Sequence, residues 1–310
     1  MDSNSVSQHI VLFEEAGQRL DNFLFRIAKG VPKTHIYRVI RSGEVRVNKK
    51  RADASQKLVE GDVLRIPPMR VAESTQAQSS YLSRKISEDI QILHEDEHLI
   101  VVNKPSGVAV HGGSGVSLGV IEAMRAQRPQ AKFLELVHRL DRDTSGLLLL
   151  AKKRSALVHL HEQIRLGAVD KRYWAVVHGE FSPDSRAKSI KFPLLKFNLP
   201  NGERRVRVSA EGQASHTIVK SLRTDEQKSW TLVEAQLKTG RTHQIRVHLQ
   251  HSGHPILGDD KYGDVALDKI LRPKRLMLHA HRIVFLHPAR EEKMMFIAKA
   301  PAEFSGYSVE

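Results

Sequence analysis

The sequence predicts an α+β protein with two domains of unequal size, and three observations support this prediction. Helical and strand-like patterns alternate in a small basic N-terminal segment, which we place at 18–68. Residues 69–85 are rich in Ser, Thr, Gln and Ala and show no apolar period, which predicts a flexible linker. Strand-like runs dominate 86–303, which indicates a larger, strand-rich domain. A chain of 310 residues is long enough for two domains with cores of their own.

The first domain begins with two helices. Apolar residues recur at helical spacing from Leu20 to Ile27, which predicts an amphipathic helix over 19–28. A second helix is expected to start near Pro32 and to end at Gly43, because these residue types favour helix boundaries. The strands expected after the helices cover 44–48 and 63–66.

Positive charge is concentrated in this first domain. Nine Lys or Arg residues lie between Arg26 and Arg51, against a single acid, Glu44. Helices that carry one sign of charge are typical of phosphate binding, although an ordinary basic surface would show the same pattern. The order of helix, helix, Gly-Glu-Val-Arg-Val-Asn and a later Gly-Asp before a strand resembles an S4 RNA-binding domain. The residues expected to contact RNA are Arg38, Arg41, Lys49, Lys50 and Arg51.

Charge and composition narrow the class of partner. Lys and Arg number 49 against 35 Asp and Glu, a formal net charge of +14, which favours nucleic acid or an anionic membrane. No apolar run approaches the roughly 18 residues of a membrane span, and residues 1–8 lack a signal-peptide pattern. We therefore expect a cytoplasmic protein that binds no membrane. The absence of cysteine excludes disulfides, thiolate catalysis and iron–sulfur clusters.

The second domain is predicted to consist mainly of strands, with helices and charged loops between them. The stretch 181–212 is basic and turn-rich, and no strand or helix is assigned within it. Ser155 and Thr242 are candidate helix caps. Apolar runs predict strands at 90–93, 99–102, 147–151, 171–179, 215–222, 230–237 and 276–286. Helices are predicted at 117–127, 155–166 and 242–253.

One charged stretch, His138 to Gly146, stands out in this domain. It packs two carboxylates, two arginines and a histidine into six residues, directly before the apolar run at 147–151. Burying carboxylates is costly unless they are paired, and the neighbouring arginines could pair them. A turn with solvated ion pairs is the alternative interpretation. Taken alone, the stretch does not separate Asp141 from Asp143 as a candidate catalytic residue.

The sequence gives little support for a metal site or a cofactor site. Of the 17 histidines, His159 and His161 are two residues apart on a predicted helix and do not face each other. His279 and His281 could share a strand face, but no third ligand lies nearby in the sequence. The chain lacks a P-loop, a dinucleotide fingerprint and a serine nucleophile elbow. We expect neither a metal nor a cofactor.

Three motifs in order resemble those of the RluA-type pseudouridine synthases. They are His138-Arg139-Leu140-Asp141 with Thr144-Ser145-Gly146, Lys171-x-Tyr173-x-Ala175-x-Val177-x-Gly179, and Gly240-Arg241-Thr242-His243-Gln244-Ile245-Arg246. The resemblance implies a mixed, mainly antiparallel sheet flanked by helices, with RNA in a central cleft. It also implies isomerisation of uridine to pseudouridine within RNA, a reaction that requires no cofactor because no electrons are exchanged.

The resemblance assigns roles to individual residues. Asp141 matches the catalytic aspartate, which either attacks C1′ or removes a proton from the sugar, and Arg246 matches its salt-bridge partner. Tyr173 matches the tyrosine that stacks on the flipped base, and Ile245 a packing wall. Arg139 matches the residue that fills the helix stack after base extrusion, which costs a few kcal/mol in a duplex. His138 and Arg241 are expected to contact RNA, and Asp143 is expected to be a loop residue.

The expected substrate follows from a subgroup of the family. Segments 31–51 and 110–115 most resemble members that act on the large ribosomal subunit. They imply uridines of 23S rRNA, at more than one site, in free rRNA or in an assembly particle. The sequence does not reveal an oligomeric state, and a monomer is the default expectation. Two alternatives stay open: a non-catalytic rRNA-binding or ribosome-assembly factor, and a nucleosidase or glycosidase. The latter would need a second carboxylate at a suitable distance from Asp141.

Overall fold

The computed structural model describes residues 6–28, 31, 33–69, 86, 88–112, 118–182 and 186–307. The chain forms two compact units, Met1–Leu82 and Ser83–Glu310. The linker expected at 69–85 lies, apart from Met69, outside the described residues. Every helix of the described part of the chain is too short or too polar to cross a membrane.

The first unit combines two helices with a four-stranded antiparallel sheet. The strands lie in the order β1-β4-β2-β3, so β4 pairs with both β1 and β2. The bounds are β1 Ser7–Ile10, α1 Leu20–Ile27, α2 Lys33–Arg41, β2 Arg46–Val47, β3 Lys50–Arg51 and β4 Val63–Ile66. The two predicted helices are confirmed. Strand β1 was not predicted, because its sequence Ser-Gln-His-Ile carries little apolar alternation.

The core of the first unit lies between the helices and the sheet. Phe23 and Leu24 of α1 meet Ile36, Val39 and Ile40 of α2, and all five side chains are buried. Arg38 and Arg41 of α2 therefore stand on the opposite, exposed face of that helix.

The second unit is built on a mixed ten-stranded sheet. Its main path is β10-β13-β14-β9-β15-β8-β6-β5, with β16 added beside β15 and β7 beside β8. All pairs in it are antiparallel except β15 with β8, so the expected mixed, mainly antiparallel sheet is confirmed. The strands are β5 Gln91–Glu95, β6 Leu99–Lys104, β7 Glu135–Leu136, β8 Ser145–Ala151, β9 Asp170–His178, β10 Lys188–Ile190, β13 Thr217–Thr224, β14 Trp230–Leu237, β15 Leu278–Leu286 and β16 Lys293–Ile297.

In the described residues, four helices and a separate hairpin complete the second unit. The hairpin, β11 Leu194–Asn198 with β12 Arg204–Val208, lies in the basic, turn-rich stretch where no strand was assigned. The sequence of β12, Arg-Arg-Val-Arg-Val, does alternate polar and apolar residues as a strand does, and this short signal was overlooked among the surrounding turn residues. The helices are α3 Val120–Ala126, α4 Arg154–Arg165, α5 Gln244–His251 and α6 Val265–Leu271.

Two helix starts differ from the prediction. Lys153 precedes the first turn of α4, so Ser155 lies inside the helix and is not its cap. His243, in a left-handed conformation with φ of 53°, precedes α5, so Thr242 is not its cap either. In neither case does a side chain accept a capping hydrogen bond. Helix α3 begins at Val120, and residues 113–117 lie outside the described part of the chain.

Candidate active site

The loop that carries Asp141 is held by a buried lysine. The Lys104 ammonium, at the end of β6, donates hydrogen bonds to the carbonyl oxygens of Pro105, Val108 and Arg142 at 2.8, 2.8 and 2.9 Å. Burial lowers the pKa of Lys104 to about 7. The three carbonyls favour the protonated form, because a neutral amine has only two N–H groups. Lys104 thus fixes the backbone next to Asp141, a role that the sequence analysis did not identify.

The other end of the loop is fixed where β8 begins. Gly146 has φ of +109°, and a Cβ there would overlap the backbone of Ala280 on β15. Beside it, the Ser145 hydroxyl accepts a hydrogen bond from Arg275 at 2.8 Å and lies 2.9 Å from His279 Nδ1. Glycine is therefore required at the point where the loop joins the sheet.

Asp143 forms hydrogen bonds with two nearby residues. Its carboxylate accepts a hydrogen bond from Arg142 at 3.1 Å, and its carbonyl accepts one from Ser106 at 2.7 Å. These contacts place Asp143 in the loop framework, in keeping with the role expected for it, and leave Asp141 as the carboxylate that faces the cavity described below.

Asp141 faces a buried arginine on α5. Arg246 Nη1 lies 3.5 Å from Asp141 Oδ2, and the Arg246 side chain is 2% exposed against 28% for Asp141. Arg246 is held more tightly by Asp259, through Nε at 2.7 Å and Nη2 at 2.5 Å, and it also donates to Asp260 at 3.1 Å. Burial opposes the charge of this arginine, but the hydrogen bonds and negative charge of Asp259 raise its pKa. The sequence analysis paired Arg246 with Asp141 and missed Asp259, since an acidic residue in a loop gives no signal that it is buried.

His243 lies near the second oxygen of the Asp141 carboxylate, and Tyr262 contacts His243. His243 Nε2 lies 3.9 Å from Asp141 Oδ1, and His243 Nδ1 lies 2.7 Å from the Tyr262 hydroxyl. That hydroxyl also accepts the backbone N–H of Val206 at 2.9 Å, so Tyr262 ties the His243 ring to the chain at Val206. Burial lowers the pKa of His243, which favours the neutral ring.

Tyr173 lies in a cavity of about 240 Å³ together with Asp141 and Arg246. Its side chain is buried, and burial together with the charge of Asp141 raises its pKa, so the phenol keeps its proton at neutral pH. Five apolar side chains belong to the wall, alongside a larger number of polar and basic ones: Leu140, Ile164, Leu237, Ile245 and Leu278. Such a pocket suits a flat, partly apolar ring, with the carboxylate at one side.

The remaining predicted site residues line the same cavity. His138 accepts a hydrogen bond from the Leu149 backbone through Nε2 at 3.3 Å, and burial lowers its pKa to about 3. Arg241 is exposed and donates to the carbonyl of Ala214 at 3.2 Å. Arg139 is exposed, and among the described residues its guanidinium has no hydrogen-bond or ion-pair partner.

A second cavity, of about 310 Å³, also has Asp141 in its wall. The same wall includes Arg142, Arg204 and Lys261, cations from three separate segments of the chain. This basic rim is suited to a polyanion that approaches Asp141.

In the first unit, the basic residues predicted to contact RNA are exposed. Arg38 and Arg41 stand on α2, while Lys49 lies in the turn between β2 and β3 and Lys50 is the first residue of β3. Arg51 donates to the carbonyls of Arg41 and Ser42 at 3.1 and 3.2 Å, so it also binds the carboxyl end of α2.

Comparison with known proteins identifies both units. A family model described as RNA pseudouridylate synthase matches residues 98–251, and an S4 domain model matches 18–64. A ribosomal large subunit pseudouridine synthase C from Haemophilus influenzae is 54% identical over 96% of this chain and 92% of its own length. The protein of the same name from Escherichia coli K12 is 54% identical over 94% of this chain and 92% of its own length. The chain belongs to the RNA pseudouridylate synthase family.

Solved structures of the same family agree with this assignment. Human RNA Pseudouridylate Synthase Domain Containing 4 superposes with a TM-score of 0.58 at 30% identity, over 74% of this chain and 95% of its own. The family match includes the loop of Asp141, strand β9 with Tyr173 and helix α5 with Arg246. The chain is thus an RNA pseudouridine synthase with an N-terminal S4 domain. Within the described residues, no group of three or more His, Asp or Glu side chains is arranged to hold a metal ion.

Proposed function

We propose that this pseudouridine synthase isomerises uridines of 23S rRNA in the large ribosomal subunit, at more than one site. The observation that carries the proposal is that Asp141, 3.5 Å from the buried Arg246, lines the same cavity as Tyr173. The 54% identity to ribosomal large subunit pseudouridine synthases C over nearly the whole chain supports the choice of RNA.

In this proposal the extruded uridine enters the cavity with its sugar beside Asp141. The carboxylate attacks C1′ or takes a proton from the sugar, and Arg246 keeps it charged and oriented for either step. Tyr173 and Ile245 lie against the base. Arg139, exposed and without a protein partner among the described residues, fills the stack that the uridine leaves.

The S4-like domain at 18–68 supplies further affinity for rRNA. Its exposed cations on α2 and on the β2–β3 turn bind phosphates, and the linker at 69–85 joins it to the catalytic domain at 86–303. We further propose that the enzyme is a cytoplasmic monomer.

The test is pseudouridine mapping by chemical labelling and reverse transcription on 23S rRNA incubated with the protein. Discrete new pseudouridines are expected with wild type and none with the Asp141→Asn variant, which should still bind the RNA. Free rRNA and a precursor of the large subunit, compared side by side, identify the substrate form. Binding without modification on both would instead support an assembly factor, and release of free uracil would support a nucleosidase.

A further inference from the structure

Lys171 is a lysine of the catalytic cavity to which neither the motif assignments nor the contacts described above give a role. It lies on β9, two residues before Tyr173, so both side chains point to the same face of the sheet. Its side chain is 9% exposed and lines the cavity together with Asp141 and Tyr173. The ammonium lies under the turn that precedes α5, 3.6 Å from the position that a Cβ would take at Gly240.

The Lys171 ammonium has no partner in the described part of the chain. No carboxylate pairs with it there, and no carbonyl or hydroxyl oxygen accepts a hydrogen bond from it. Lys104, the other deeply buried lysine, shows the contrast, because three carbonyls surround its nitrogen. Burial lowers the pKa of Lys171, and burial is the one cause of that shift.

A buried ammonium without a partner destabilises the fold. Groups kept in such surroundings are concentrated at functional sites, where a ligand completes their environment. The ligand must bring a hydrogen-bond acceptor into a cavity whose other walls include Ile164, Leu237 and Leu278. The two carbonyl oxygens of a uracil ring meet that requirement, and the apolar side chains of the same wall suit the ring itself.

We propose that Lys171 is a catalytic residue whose ammonium donates a hydrogen bond to a carbonyl oxygen of the extruded uracil and stabilises the base while it is detached. The proposal rests on the proposed function of this site. When the C1′–N1 bond breaks, N1 keeps the bonding electron pair, and the resulting negative charge spreads to the carbonyl oxygens. The new bond then joins C5 to C1′, C5 gives up its proton to water, and N1 takes up a proton from water, so that the reaction is a net isomerisation. Lys171 acts while the base carries charge, a stage at which a fixed donor lowers the barrier.

The experiment compares Lys171→Met with a matched control, Lys293→Met, which removes an exposed lysine of the same sheet outside the cavity. The measurement is single-turnover tritium release from 23S rRNA labelled at C5 of its uridines. The rate constant is expected to fall about 10²-fold or more in Lys171→Met, the usual effect of losing one donor to a developing anion. RNA affinity should change little, and the unfolding temperature should stay the same or rise, because methionine removes the unpaired buried charge.

A second variant separates charge from packing. In Lys171→Ala, added ethylammonium should restore part of the lost rate, and ethanol of similar size should not. A wild-type rate in Lys171→Met overturns the proposal, and so does equal rescue by ethanol, which would indicate a packing role. If wild-type protein itself releases no tritium and forms no pseudouridine, the proposed function fails. If wild type is active and Lys171→Met equally so, only the role of Lys171 fails.

Discussion

Replacing Arg246 by methionine should destabilise the catalytic unit as well as abolish the reaction. The guanidinium is 2% exposed, and its tightest contact is not Asp141 but the fully buried Asp259. Removing one partner of a buried ion pair costs about 3–5 kcal/mol. Two backbone N–H groups, of Lys261 and Tyr262, remain on the Asp259 carboxylate at 2.9 and 3.0 Å. We therefore expect the lower end, about 3 kcal/mol, which corresponds to about 6–12 °C in unfolding temperature for a domain of this size.

The matched control is Asp141→Asn. Its side chain is 28% exposed and its closest ionic contact is 3.5 Å long, so it resembles a surface pair worth about 0–1 kcal/mol. Both variants should be inactive in pseudouridine formation, yet only the arginine variant should unfold at a clearly lower temperature. The double variant Arg246→Met with Asp259→Leu should regain much of the stability and remain inactive, because apolar pairs replace buried ion pairs without loss.

Two measurements test these roles of Arg246. Thermal unfolding is followed by circular dichroism, and tritium release is measured at a temperature where all variants are folded. An Arg246→Met variant that unfolds within about 2 °C of wild type would contradict the stabilising role of the Arg246–Asp259 pair. Wild-type turnover in that variant would contradict its role in holding Asp141.

Three further outcomes are expected. Gly146→Ala should lower the free energy of unfolding by about 3 kcal/mol or more, because its Cβ would overlap the backbone of Ala280. Gly167→Ala is the control: Gly167 has φ of +71° but open space around it, so thermal unfolding should show a loss of only about 1 kcal/mol. Equal losses in the two variants would contradict the argument from close approach. Burial lowers the pKa of His279 to about 4, so its stabilising contribution is present above pH 6.5 and is lost, by about 3 kcal/mol, as the pH falls from 6.5 toward 4. His279→Gln should flatten the unfolding temperature over that pH range relative to wild type, and an unchanged slope would show that His279 is not responsible. A chain lacking residues 1–80 should bind structured rRNA more weakly, with a salt slope smaller by about 0.9 for each phosphate that the S4 domain neutralises, and an identical slope would mean that this domain binds no phosphate.

The strands and helices that were predicted correctly are those with a clear local pattern of apolar residues. The apolar run after Gly146 predicted the buried strand β8, and the helical spacing from Leu20 to Ile27 predicted α1. The hairpin β11–β12 was missed although Arg-Val-Arg-Val in β12 alternates as a strand does, because its strands are only five residues long and lie among turn residues. Strand β16 was missed for a related reason: only one of its faces is partly buried, so its apolar residues need no strict alternation.

The candidate site was predictable only in part, since its residues are brought together by tertiary structure. The motifs named Asp141, Tyr173 and Arg246, but Asp259 became visible only when the loop after α5 placed its carboxylate on Arg246. Lys104 and Lys171 gave no signal either, because a lysine at the end or start of a strand is usually solvated. Buried polar groups depend on partners far away in sequence, and a local pattern does not contain those partners.

The Lys and Arg side chains near Asp141 fall into two groups: those that donate hydrogen bonds to the protein and hold its framework, and those that we propose to bind the substrate. Arg246, Lys104 and Arg142 have their acceptors within the protein, and each fixes part of the surroundings of Asp141. Arg139 and Lys171 have none among the described residues, one at the exposed rim and the other deep in the same cavity. In our proposals the RNA supplies what these two lack: a gap in the base stack for Arg139 and a base carbonyl for Lys171. Variants of the framework cations should therefore lower stability and activity together, while variants of these two should lower activity alone.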